Sequence, residues 1–345
     1  MKSKEKGKKG PKLSADLKFA AGARARKYKK LNPGPFYAWP MGLWFSLFFI
    51  VPIVIIVAYS FMTRDVYGGV EPKFTLKAYG QMFDPAYGKI FLRTLWISAL
   101  SSFISILIAL PCGYAIARSR HQTFFLILVV IPFLTNSIIR IFAWQTILGE
   151  TGLLNGILKL FWNIGHGLGW TKAAEFVPHK FMFTQGAIVL VSIYMYLPYA
   201  ILPIFTSVDR FDFSLLEAAR DLGATKPQSM FKVLIPEIKS GIISALIFTF
   251  IPIFGSYTVP QMVGGKDSYM LGNIIVDQVQ KVRNWPLASA FSLVITLVSM
   301  AAIMWMLVSS KREANLKKVS TKEDVAANTN TPLLAGSDAL KGGNK

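Results

Sequence analysis

Cysteine, histidine, acidic residues and nucleotide-binding glycine patterns are all scarce in this sequence. Cys112 is the single cysteine and sits inside an apolar run, so no intrachain disulfide can form and packing is its expected role. His121, His166 and His179 are far apart and have no second ligand at metal spacing, which argues against a metal centre. Neither H-E-x-x-H nor G-x-S-x-G occurs, so the sequence offers no hydrolase chemistry and no enzyme activity is expected. The phosphate-cradling pattern G-x-x-x-x-G-K-[ST] is also missing. Gly265-Lys266 is followed by Asp267, and position 260 is proline. The chain is therefore expected to bind no cofactor of its own.

Apolar residues dominate what is present. Of 345 residues 53% are hydrophobic and only 16% are charged, which is the composition of a membrane protein. The net charge of +20 is concentrated at the ends: 12 of the 38 Lys and Arg precede residue 41 and 7 follow residue 309. Basic ends beside apolar spans read as orientation signals or contacts to anionic lipid. No nucleic-acid recognition pattern accompanies them, so a nucleic-acid partner is not expected.

A bilayer crossing needs about 20 apolar residues. Six segments qualify: 41–62, 91–117, 123–147, 183–206, 240–262 and 287–309. All are helical by length, giving an all-α polytopic protein with six transmembrane helices. The first is too long for a signal-peptide core and lacks a small-x-small cleavage site, so it is expected to be retained. With the N-terminus inside, cytoplasmic segments hold 26 Lys and Arg and outer segments hold 10, so both termini are expected in the cytoplasm. The domain reading is a basic, mostly disordered tail over 1–40, a membrane domain over 41–310 and a mostly disordered tail over 311–345. Between spans three and four, Leu153, Ile157, Leu160 and Phe161 recur at helical spacing, which predicts a short helix lying along the outer interface.

The last large cytoplasmic loop carries "SLLEAARDLGATKPQSM" over 214–230. Ser214 and Glu217 have capping-box spacing, as do Thr225 and Gln228, and Pro227 falls in the first turn of the second helix. Leu215, Ala218, Ala219 and Leu222 share one helix face, with Glu217, Arg220 and Asp221 on the other, and Gly223 permits the turn that ends the helix. Two short helices meeting at a glycine need something to hold them, because isolated helices of this length are marginal in water.

Glu217-Ala218-Ala219, three residues, Gly223, nine residues and then Val233-Leu234-Ile235-Pro236 resembles the EAA motif of ABC importer permeases, E-A-A-x3-G-x9-I-x-L-P. In that family the loop is the coupling helix received by an ATPase subunit, and the fold is that of a type I importer permease. "SFMTRD" (60–65), "PFLTNSIIRIFAW" (132–144), "GGKDSYMLGNIIVDQ" (264–278) and "RNWPLASA" (283–290) resemble the first permease of spermidine/putrescine importers, over about residues 40–310. The resemblance implies a permease in the cell inner membrane. Its implied partners are a second, homologous permease, an ATPase dimer that binds the ATP, an extracytoplasmic substrate-binding protein, and membrane lipid.

A polyamine path needs carboxylates or carbonyls alternating with aromatic faces. Asp65, Trp144 and Tyr257 are the candidates, each against a plainer reading as a loop cap or interfacial aromatic. Gln261 stands where polyamine permeases of this type carry Asp or Glu, which leaves open a different polyamine or another solute. Arg140, a poor ligand for a cation, is expected to pair with an acid or with backbone carbonyls. A secondary transporter is the rival reading. It is disfavoured because spans two, four, five and six carry no Asp, Glu or Lys to relay ions.

Overall fold

The computed structural model describes residues 34–167 and 176–329. Two units are distinguished, residues 1–58 and residues 59–345, and each is described by itself. In the first, residues 34–58 are helical (α1), beginning within the tail expected to be disordered up to residue 40, while residues 1–33 lie outside the described part. Over Ser46–Ile50 α1 widens to a π-helical turn. Pro52 follows two residues later; it has no N–H to give and its ring crowds the carbonyl of Phe48, four residues back and inside that turn, so the helix relaxes there.

The second unit opens with a hairpin that the all-helical reading did not contain: β1 (Met62–Arg64) and β2 (Val70–Phe74) pair antiparallel, with Arg64 opposite Val70. Then come α2 (Lys77–Met82) and α3 (Pro85–Arg118), which Asp84 caps by accepting from the Ala86 backbone at 2.8 Å. Next are α4 (Gln122–Val130), α5 (Ser137–Leu148), α6 (Leu153–Gly167) and α7 (Gln185–Asp209). The loop helices α8 (Ser214–Asp221) and α9 (Lys226–Ser229) precede α10 (Lys239–Phe254), α11 (Thr258–Val263), α12 (Leu271–Gln280) and α13 (Trp285–Thr329).

Among the described residues, four helices are long and apolar enough to cross a membrane: Trp39–Ser60, Pro85–Arg118, Gln185–Asp209 and Trp285–Val308. Two bent pairs, Gln122–Leu134 with Ser137–Ile164 (90°) and Lys226–Glu237 with Lys239–Phe254 (71°), bring the number to six if each is one span. The six-helix reading is compatible with this, but spans three and five are not the continuous rods expected. Asn136 caps α5 by accepting from Ile138 N at 2.8 Å, so a new helix starts inside span three. Span five stops at Phe254, eight residues short of its predicted end. Pro252 lies in its last turn, the chain breaks over 255–257, and α11 resumes it.

The core sits where α3, α7 and α10 pack on one another. Ser98, Ser101, Ser102 and Ser105 of α3 are fully buried, and such small residues let helix backbones approach closely in a membrane bundle. The short helix predicted between spans three and four exists as α6, with Leu153, Ile157, Leu160 and Phe161 all exposed. Asn155 moors it: Nδ2 donates to the carbonyls of Gly149 and His179, and Oδ1 accepts from His179 N. Beyond the last span α13 continues to Thr329. Over 311–329, where low apolar content points to disorder, the backbone is helical, in keeping with the four Lys and three Ala of this run, both good helix formers.

Candidate functional site

Two regions hold the residues singled out in the sequence: the loop of α8 and α9, and the broken parts of spans three and five.

In the loop, Ser214 and Glu217 do not form the expected capping box. The first turn is already helical at Phe213, and Leu215 and Leu216 donate to the carbonyls of Asp212 and Phe213. Ser214 therefore lies inside the helix, and Asp212 takes the capping role by accepting from Ser214 N at 3.0 Å. The Ser214 hydroxyl, and after it the Ser214 backbone N–H, holds the Asp212 carboxyl below its ordinary value. At the other end Gly223 has φ +90°, and the N–H groups of Gly223 and Ala224 donate to the carbonyls of Arg220 and Ala219. That crossed pair is a Schellman ending, which needs a left-handed residue at Gly223. The box of α9 forms as expected, with Thr225 Oγ1 accepting from Gln228 N and Gln228 Oε1 accepting from Thr225 N.

The anchor of α8 is Leu216, 3% exposed, which the helical-face reading left out. With Phe211 it joins the core cluster that contains Ile116, Ala117 and Val208. Phe213 adds a second fastening, because the Arg118 guanidinium lies over its ring at 4.9 Å. The predicted face turns outward: Leu215 and Ala218 are exposed, Ala219 is half-buried and Leu222 is 89% exposed. Glu217, Arg220 and Asp221 are exposed as well. Thus α8 is fixed to the ends of α3 and α7 through one side while its Glu-Ala-Ala side is free among the described residues.

In the second region, α11 carries Tyr257 at its start and Gln261 one turn on, and the Gln261 N–H donates to the Tyr257 carbonyl at 3.0 Å. Gln261 Oε1 accepts from Asn273 Nδ2 at 3.0 Å, and Gln145 Nε2 donates to the Met262 carbonyl at 2.6 Å. Trp144, on the same helix as Gln145, is half-buried and meets the Tyr194 ring edge-on at 5.4 Å. Trp144, Tyr257 and Gln261 therefore belong to the packed pair α5 and α11.

Asp65 does not join them. Its Oδ1 accepts from Val66 N within the hairpin turn, which is the plainer role weighed for it. Arg64 does not pair with it either; its Nη2 donates to the Val282 carbonyl at 2.7 Å. The hairpin is thereby tied to the loop before α13, where Gly69 N also donates to the Arg283 carbonyl. Arg140 departs from expectation too. Its guanidinium lies over the Phe133 ring at 4.6 Å, while Nε and Nη1 have neither an acid nor a carbonyl partner. An aromatic face attracts the cation without offering hydrogen-bond acceptors.

Residues 20–313 match the family of binding-protein-dependent transport system inner membrane components. The spermidine/putrescine transport system permease protein PotB of Escherichia coli K12 is 32% identical over 266 residues, which is 76% of this chain and 93% of that protein. The Haemophilus influenzae PotB is 32% identical over 276 residues, 79% of this chain and 92% of that one. Among solved structures, a bacterial ABC transporter involved in import of the acidic polysaccharide alginate aligns with a TM-score of 0.62 at 16% identity. That alignment covers 83% of this chain and 99% of the other, a likeness of fold. The chain belongs to the family of inner membrane components of binding-protein-dependent transport systems.

Proposed function

We propose that this chain is one of two permease subunits of an ABC importer that carries putrescine or spermidine into the cytoplasm, driven by ATP bound on a separate ATPase dimer. The observation that carries the reading is the 32% identity to spermidine/putrescine permeases along 93% of their length. The outward Glu217-Ala218-Ala219 side of a helix locked at both ends agrees with it. An extracytoplasmic binding protein delivers the cargo, and both termini face the cytoplasm. Glu217, Ala218, Ala219 and Gly223 couple the permease to the ATPase. Trp144, Tyr257 and Gln261 contribute to the cargo path, whereas Asp65 serves its hairpin.

The mechanism follows from how α8 is fastened. Closure of the ATPase dimer draws the α8 helices of the two permeases together. Leu216 and Phe211 are buried against α3 and α7, so a displacement of α8 moves those span ends with it rather than bending a loose loop. Capping by Asp212 and the Schellman ending keep α8 stiff enough to transmit the push. Alternating access then results from the spans rocking about the cargo path, with the chain itself making and breaking no covalent bond.

The test is uptake of labelled putrescine and spermidine by a polyamine-uptake-deficient bacterium that expresses this chain with its neighbouring permease, ATPase and binding protein. Uptake of either compound is the expected result. An assembled complex that hydrolyses ATP and carries neither would overturn the cargo and keep the importer.

A further inference from the structure

The segment between α11 and α13 contains a titratable cluster that the transport reading does not use. Asp277 lies in the last turns of α12, and its Oδ1 is 2.7 Å from the Lys281 ammonium, one helical turn away. The phenols of Tyr269 and Tyr257 both lie within electrostatic reach of this pair. The two partners are unequally held: the Asp277 side chain is 25% exposed and that of Lys281 is 64% exposed. The acid is built into the wall, and the base reaches it from solvent.

A surface i,i+4 pair contributes little to stability and would ordinarily need no further account. Three features separate this one. A carboxylate near a helix C-terminus faces the negative end of the helix dipole, so Asp277 is in a place that needs a cation. Tyr269 places a phenol within reach of the same carboxylate, and the next two residues, Met270 and Leu271, are fully buried, which fixes the backbone that carries it. The cluster is also continuous with α11. Tyr257 and Gln261 are one turn apart on α11, Asn273 and Asp277 are one turn apart on α12, and Gln261 bonds to Asn273 across the two helices.

The lysine side chain is itself a primary ammonium on four methylenes, the group that ends a diaminobutane. We propose that Asp277 and Tyr269 form a seat for a primary alkylammonium in the outer part of the permease, in which Lys281 is a tethered occupant that the cargo's terminal ammonium displaces. This inference rests on the polyamine reading above. The Asp277 carboxylate holds the Lys281 amine above its ordinary pKa, so the occupant stays charged and the seat is neutral when no cargo is present. Displacement exchanges one ammonium for another and releases the Lys281 side chain to solvent.

The two partners of a stabilising ion pair should give variants of like sign, and a seat with a resident should not. The experiment measures labelled putrescine retained at equilibrium by the complete permease–ATPase complex in lipid nanodiscs without binding protein, alongside uptake in cells. Asp277→Asn is expected to lower retention about tenfold, the loss of one charge-assisted contact. Lys281→Gln, at an exposed position, is expected to raise it about threefold, since the competing occupant is gone. Tyr269→Phe falls between wild type and Asp277→Asn. Changes of the same sign for Asp277→Asn and Lys281→Gln, or no change in either, with wild-type uptake intact, overturn the seat alone. Absence of both uptake and retention in the wild-type complex overturns the cargo reading and the seat with it.

Discussion

Asn273 orients Gln261. The Asn273 Oδ1 accepts from the Met270 backbone N–H at 3.3 Å, so its Nδ2 must face Gln261, and it donates to Gln261 Oε1 at 3.0 Å. Gln261 consequently turns its own NH2 away from α12, toward the exposed side. Asn273 is 1% exposed, so its replacement by Leu strands a backbone N–H and an amide oxygen. We expect Asn273→Leu to cost about 1–3 kcal/mol, seen as a lower thermal midpoint of the detergent-solubilised complex. An unchanged midpoint would refute the orienting role.

A carboxylate at position 261 keeps the bond from Asn273 and adds a charge at an exposed position that is now neutral. Gln261→Glu is expected to assemble normally and to raise spermidine uptake relative to putrescine about threefold, the effect of one added charge a few ångströms from the cargo in a hydrated path. Competition between the two labelled polyamines in whole cells reads this directly.

In the α8 loop, Glu217→Arg reverses a charge on the exposed face of the helix. It should leave the protein in the membrane and abolish uptake. Gly223→Val should also impair uptake, because φ +90° is strained for a β-branched residue by about 1–2 kcal/mol and the Schellman ending would shift. Wild-type uptake by Glu217→Arg would count decisively against coupling through this helix.

Gly241 sets the approach of α10 to α7. A Cβ there would collide with the Ser207 hydroxyl, lie 2.6 Å from Ser207 Cβ and 2.9 Å from the Pro203 carbonyl oxygen. Backbone cannot yield as a flexible side chain does, so Gly241→Leu is expected to cut the amount of assembled complex several-fold. Gly42, where nothing lies within 4 Å, should accept Ala without loss, and immunoblots of purified membranes compare the two.

The Asp212 cap supplies a pH prediction. Its folded pKa lies below the ordinary 3.8, so the cap contributes fully above that value and is lost as pH falls through the lower folded value. Hydrogen exchange across α8 should therefore be insensitive to this group between about pH 5 and 8. Asp212→Ala should speed exchange throughout that range, while Asp212→Asn, still a capping acceptor, should not.

The length and spacing of apolar runs determined that the chain is helical and spans a membrane, because a bilayer leaves the backbone few alternatives. Local spacing also determined the Thr225–Gln228 box and the turn at Gly223, each a contact within a few residues. The Ser214–Glu217 box failed for a local reason that spacing does not reveal: the turn is already helical at Phe213 with Asp212 as its cap, and an N-cap is decided by where the first turn begins.

Tertiary structure decided the rest. The anchoring of α8 through Leu216 depends on a core assembled from α3 and α7, about a hundred residues apart in their starts and invisible to an eight-residue helical wheel. Breaks in spans three and five are shared decisions of Asn136, Pro252 and the helices packed beside them. Gln261, Asn273, Tyr269 and Asp277 meet only because α11 and α12 fold back on one another. Hydrophobic periodicity says that a segment is buried, and nothing in it says which polar groups will find each other once it is.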